Sequence, residues 1–108
     1  MFDNIITCPW KLGQTKDGVQ IGALAIKEYI QCKLINNNTK KFIDVYDANK
    51  TNLEYHQDIY NEHCKCIGNT LCIGGDHSVA IGSVLASLHK NKSTIVIWID
   101  AHPDINTF

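Results

Sequence analysis

The sequence predicts an α/β protein, a parallel sheet with flanking helices, and three observations lead there. Short apolar runs alternate with longer amphipathic stretches along the whole chain. The last run, Thr94-Ile95-Val96-Ile97-Trp98-Ile99, is unbroken and β-branched, as a strand covered on both faces reads. Each amphipathic stretch is long enough to carry a right-handed crossover between parallel strands.

Asn4-Ile5-Ile6-Thr7-Cys8 is the first expected strand. Val19 to Leu34 follows, with Ile21, Leu24, Ala25, Ile26, Tyr29 and Ile30 at three- and four-residue spacings, the face of a helix. Asn36-Asn37-Asn38 breaks that pattern as a polar loop. Phe42 to Tyr46 forms the second strand, and Asn52 to about Lys65 the second helix, carried by Leu53, Tyr55, Ile59 and Tyr60. Leu71-Cys72-Ile73 is the third strand, Ser78 to about His89 the third helix, and Thr94 to Ile99 the fourth strand. The expected order is therefore βαβαβαβ.

A chain of 108 residues fits one domain, spanning 1–108, with no room for two. At 44% hydrophobic and 19% charged, with a net charge of -1, it reads as globular. The charge balance argues against nucleic-acid or anionic-lipid partners, and no apolar run approaches the length that spans a bilayer. Five cysteines make an odd count without paired spacing, and MFDNIITCPW lacks the pattern of a secretory leader. Free thiols in a reducing, cytoplasmic setting are expected.

Two expected strand ends carry chemistry, where ligands collect in open parallel sheets. One is Gly74-Gly75-Asp76-His77-Ser78; the other is Asp100-Ala101-His102-Pro103-Asp104. In extended backbone, residues two apart share a side, so Asp100, His102 and Asp104 tend to converge. Adjacent carboxylates resist joint ionisation unless a cation lies between them. Carboxylate and imidazole without thiolate suit a divalent ion of intermediate hardness, such as manganese, iron, cobalt or zinc. His77 stands 23 positions before Asp100, the length of one helix and one strand, which makes it a further ligand candidate. Asp76 is expected to cap the following helix. His63-Cys64-Lys65-Cys66, with Cys72 or His56 nearby, is a weaker zinc candidate, because C-x-C at a helix end is poor ligand spacing.

On these two motifs, in this order and at this interval, the chain resembles the ureohydrolases, the arginase–agmatinase family. Asp104-Ile105-Asn106-Thr107 is more similar to arginases than to agmatinases, and Lys11-Leu12-Gly13-Gln14 with Asp17-Gly18-Val19-Gln20-Ile21-Gly22 resembles their N-terminal loop. Ala23 stands where the family usually has Pro. The resemblance implies a three-layer α/β/α fold and a site for two manganese ions. It implies that His77, Asp100 and Asp104 bind one ion, and that Asp100 bridges to a second, held also by His102. His102 and Asn106 then fall among the substrate-binding residues, Asn106 resembling the one that recognises the substrate's α-carboxylate. The implied reaction is metal-assisted hydrolysis of L-arginine to L-ornithine and urea, with agmatine or another guanidino compound as the alternative. Trimeric or hexameric assembly is implied as well.

The same resemblance implies donors that these residues do not include: a later D-x-D pair, a Ser-Gly-Asn-His-Gly type loop and a late Glu. The expectation is therefore the N-terminal portion of an arginase-like domain, truncated and inactive alone, or else a non-catalytic, assembly-modulating module. The resemblance further implies that strands absent from this chain separate the His77 strand from the Asp100 strand. Without them the two motifs must either become adjacent in a four-stranded sheet or leave a gap, exposing an apolar edge at Ile95 to Ile99.

Overall fold

The computed structural model describes residues 2–15, 17–34, 41–46 and 49–102. Its elements run β1 (Asn4–Cys8), α1 (Val19–Leu34), β2 (Lys41–Asp44), α2 (Asn52–Lys65), β3 (Thr70–Gly74) and α3 (Val79–Lys90). The three strands form one parallel sheet in the order β2-β1-β3. The expected α/β class, with its parallel sheet and flanking helices, is what folds.

β1 lies between both neighbours, and all five of its residues are buried. Its alternation sorts the core into two layers. Ile6 and Cys8 join Trp10, Val45, Tyr55, Ile59 and Val79 on the face covered by α2 and α3. Ile5 packs with Ala23 and Ile73 under α1. The chain steps from β1 outward to β2, then back across β1 to β3. That reversal puts α1 and α2 on opposite faces, as right-handed crossovers require.

α2 begins at a capping box. Thr51 accepts from the Glu54 amide while the Glu54 carboxylate takes the Thr51 amide at 2.8 Å. Its inner face carries Tyr55, whose hydroxyl donates to the Val45 carbonyl at 2.7 Å. α2 and α3 touch where Gly82 of α3 meets the His56 carbonyl and Ile59; a Cβ on Gly82 would come within 2.6 Å of that oxygen.

α1 forms over the expected span, but most of its apolar stripe stays out of the sheet contact. Ala23, Lys27 and Ile30 face inward, while Ile21, Leu24, Ile26 and Tyr29 are exposed. On that inward side Lys27 Nζ reaches both carboxylate oxygens of Asp44 on β2, at 2.7 and 2.6 Å, a contact that this rotation of the helix permits. One expectation is corrected: Thr94 to Ile99, the expected fourth strand, does not join a ladder among the described residues, so the observed order is βαβαβα. Ile95, Ile97 and Ile99 are largely exposed and Val96 and Trp98 about half so; Trp98 lines a groove with Val84 and Leu85 of α3, and Val96 a cavity with Thr70 and Cys72 of β3.

Two measurements check this packing. Gly82→Ala is expected to lose about 1–3 kcal/mol to overpacking, whereas Gly22→Ala, with open space around it on α1, is expected to gain about 0.5–1 kcal/mol; thermal unfolding of both variants shows the sign. The second concerns His63, buried on α2. Burial and, secondarily, Lys90 hold its pKa below the ordinary 6.5. The unfolded chain then binds more protons just below that value, so stability is complete above pH 6.5 and falls as pH drops toward the folded pKa. Melting temperature against pH should decline on the acid side, and less steeply in His63→Gln.

Candidate metal centre

The helices that follow β1 and β3 leave the sheet on opposite faces, so a crevice opens beyond the carboxyl ends of these neighbouring strands. Two loops close its floor. The Gly75 amide donates to the Cys8 carbonyl at 2.9 Å and the Asp76 amide to the Trp10 carbonyl at 2.9 Å, extending the ladder past the sheet. The backbones are so close that any Cβ on Gly75 would run into the Trp10 carbonyl oxygen. Trp10 is fully buried, stacked on Tyr55 at 4.1 Å, with its indole N–H on Asn52 Oδ1 at 3.0 Å.

Asp76 does more than the expected cap. Ser78 occupies the cap position of α3 without a side-chain capping bond. The buried Asp76 carboxylate takes the Ser78 amide and hydroxyl on one oxygen, at 2.9 and 2.6 Å, and the Gly13 amide on the other, at 2.7 Å. It thereby pins the loop after β1 to the loop after β3, and it turns away from any ligand role.

His77 is left projecting from the second loop, its ring stacked on Trp98 at 4.7 Å with the planes 12° apart. Nδ1 lies 3.1 Å from Asp100 Oδ2. The other Asp100 oxygen accepts the His102 amide at 3.0 Å, and His102 Nδ1 stands 3.9 Å from it. Asp100 thus sits between two imidazoles, one beside each oxygen. The amide bond from His102, with smaller contributions from the two rings, holds its carboxyl below the usual carboxylate range. An apolar groove of about 540 Å³ opens next to His77, between Trp98 and Ile81, Val84 and Leu85 of α3.

Of the residues expected at the site, His77, Asp100 and His102 are brought together, and Asp104 and Asn106 lie outside the described residues. The donor chemistry suits a borderline divalent ion; the donor number does not. Among the described residues no group of three or more His, Cys, Asp or Glu side chains converges on one point. The zinc candidate does not assemble either: His63 is buried, and the Cys66 thiol donates to the Glu62 carbonyl at 3.3 Å. Sequence reasoning missed Trp98 as the support of His77 and Gly13 as the partner of Asp76. Both contacts join distant loops, and no local spacing announces them.

A parallel sheet with helices on both faces, and with His77, Asp100 and His102 gathered beyond the end of β3, defines the class as α/β with a polar crevice at the carboxyl ends of its strands. The family model described as the Arginase family matches residues 4–108, and the chain belongs to that family. It is 31% identical to "Arginase-2, mitochondrial" of Mus musculus over 124 positions, covering 95% of this chain and 35% of that protein. It is 29% identical to "Arginase-1" of Bos taurus, covering 95% of this chain and 38% of that one. Among solved structures, arginase from Bacillus subtilis superposes with a TM-score of 0.66 at 24% identity, covering 83% of this chain and 34% of the other. That likeness speaks for the fold. The chain spans little more than a third of the length of the relatives it matches.

Asp76→Ala should strip three hydrogen bonds from the crevice floor and leave the Gly13 amide without its carboxylate partner. A loss of about 3 kcal/mol is expected, read as a lower urea midpoint with an unchanged slope.

Proposed function

We propose that the chain supplies the leading ligand-bearing strand ends of a ureohydrolase centre that hydrolyses L-arginine. The observation that carries this reading is the placement of Asp100 between His77 and His102, one imidazole beside each carboxylate oxygen. A carboxylate so flanked is arranged to bridge two cations, each with its own imidazole. In this reading His77, Asp100 and Asp104 hold one manganese ion, Asp100 and His102 hold the other, and Asn106 receives the substrate's α-carboxylate. Manganese bound there would lower the pKa of water and polarise the guanidinium carbon. The protein's own part is orientation. Trp98 fixes the plane of His77, and the His102 amide holds one oxygen of Asp100.

Three protein donors on one side and two on the other make a sparse shell, completed by water or by further protein groups. The 108 residues by themselves are therefore proposed to bind manganese weakly and to lack turnover, in keeping with their share of the relatives' length. Agmatine or another guanidino compound is the alternative to arginine, trimeric or hexameric assembly belongs to the same reading, and five free thiols favour a reducing, cytoplasmic compartment.

The test is calorimetric titration of the chain with Mn²⁺, with circular dichroism to monitor the fold. Saturable binding is expected, weakened at least about a hundredfold in Asp100→Ala. A folded chain that takes up no manganese, or takes it up equally well in the variant, would overturn the reading.

A further inference from the structure

Two buried thiols stand apart from the proposed manganese ligands. Cys8 ends β1 and Cys72 is the central residue of β3, both directed to the face under α2 and α3. Cys8 is fully buried and Cys72 half-buried. Their Sγ atoms lie 3.9 Å apart and share a hydrogen bond.

The strand register argues against a disulfide. Cys72 stands opposite Ile6 and Cys8 opposite Gly74, so the two cysteines are diagonal neighbours. Diagonal Cα atoms on adjacent strands are about 7–8 Å apart, beyond the roughly 4.4–6.8 Å that disulfides span. The sulfurs would also have to close to about 2.05 Å. A shared ion asks for far less movement. At a metal–thiolate distance of about 2.3 Å, two sulfurs on opposite sides of one ion stand about 4.6 Å apart. The pair would open by about 0.7 Å to hold it, against a closure of about 1.9 Å for a disulfide.

Ligand number selects the ion. Zinc and iron–sulfur sites call for four protein ligands in structural use, and among the described residues no third His, Cys, Asp or Glu completes a group with this pair. Soft thiolates with so few partners suit copper(I). We propose that Cys8 and Cys72 form a two-thiolate site for a soft monovalent cation of the copper(I) class. Binding exchanges two S–H bonds for two sulfur–metal bonds and releases two protons; nothing is oxidised.

Access agrees with this. Cys72 lines a cavity of about 270 Å³ with Thr70, Ser83, Val84, Thr94 and His63, whose buried Nδ1 has no hydrogen-bond partner. The hydrogen bond from Cys8 lowers the pKa of Cys72, while that same bond and burial push Cys8 strongly upward.

The experiment is anaerobic titration of the chain with copper(I) against a chromophoric chelator, in a Cys32→Ser/Cys64→Ser background that removes the more accessible thiols. One equivalent should bind and shield Cys72 from iodoacetamide. Cys72→Ala should weaken binding at least about a hundredfold, Cys8→Ala likewise, and Cys66→Ala should leave it unchanged. Should Cys8→Ala fail to fold, the half-buried Cys72→Ala and the alkylation pattern decide. Failure to bind, binding that survives Cys72→Ala, binding lost in a folded Cys66→Ala, or a Cys8–Cys72 disulfide formed under mild oxidant would each overturn the proposal.

Discussion

The carboxylate of Asp76 is the constraint on which the crevice depends. One oxygen holds the turn into α3 and the other holds Gly13, 63 positions away. With Gly75 pressed against the backbone of Trp10, the loops behind β1 and β3 become one surface. His77 is the residue next along. It is carried by the turn that this carboxylate holds.

The layers above and below follow from β1. A strand buried on both sides needs a helix on each face, and the path of the chain supplies them with α1 on one side and α2 with α3 on the other. Trp10 and Tyr55 pack the larger layer through a stacked pair, a geometry worth about 0.5–1.5 kcal/mol beyond the area it buries. The smaller layer packs Ile5, Ala23 and Ile73 with Ile30, Phe42 and Leu71, and the Lys27–Asp44 pair joins the same helix to β2.

How much of this was legible in the sequence depends on how local each signal is. β1, α1 and α2 run over the expected spans because apolar period and turn residues are short-range properties. The Thr51–Glu54 capping box marks the start of α2 four residues at a time. Thr94 to Ile99 misled for a physical reason. A run of β-branched residues states that the backbone is extended and wants cover, and only a neighbouring strand makes it part of a sheet. The inward side of α1 was hidden because Lys27, which pairs with Asp44 on β2, lies on it beside Ala23 and Ile30, and apolar period alone does not mark a lysine as inward. At the site, Asp100 and His102 meet in a bend, where the carboxylate takes the His102 amide, and not along an extended strand as period-two spacing supposed. The stack of Trp98 on His77, and the role of Asp76 between two loops, depend on distances through space that no spacing encodes.

The register of the sheet also sets an order of events during synthesis. β1 pairs with β2 after about forty residues have been made, but Asn4 finds Thr70 on its other side only when β3 exists. At roughly 5–20 residues per second on the ribosome, the most buried strand waits several seconds with one edge open. Closing so long a loop adds little to the free-energy cost, because that cost grows only logarithmically with length. What the long separation delays is time, and during it the nascent chain carries an unpaired apolar strand that any chaperone or neighbouring edge can reach.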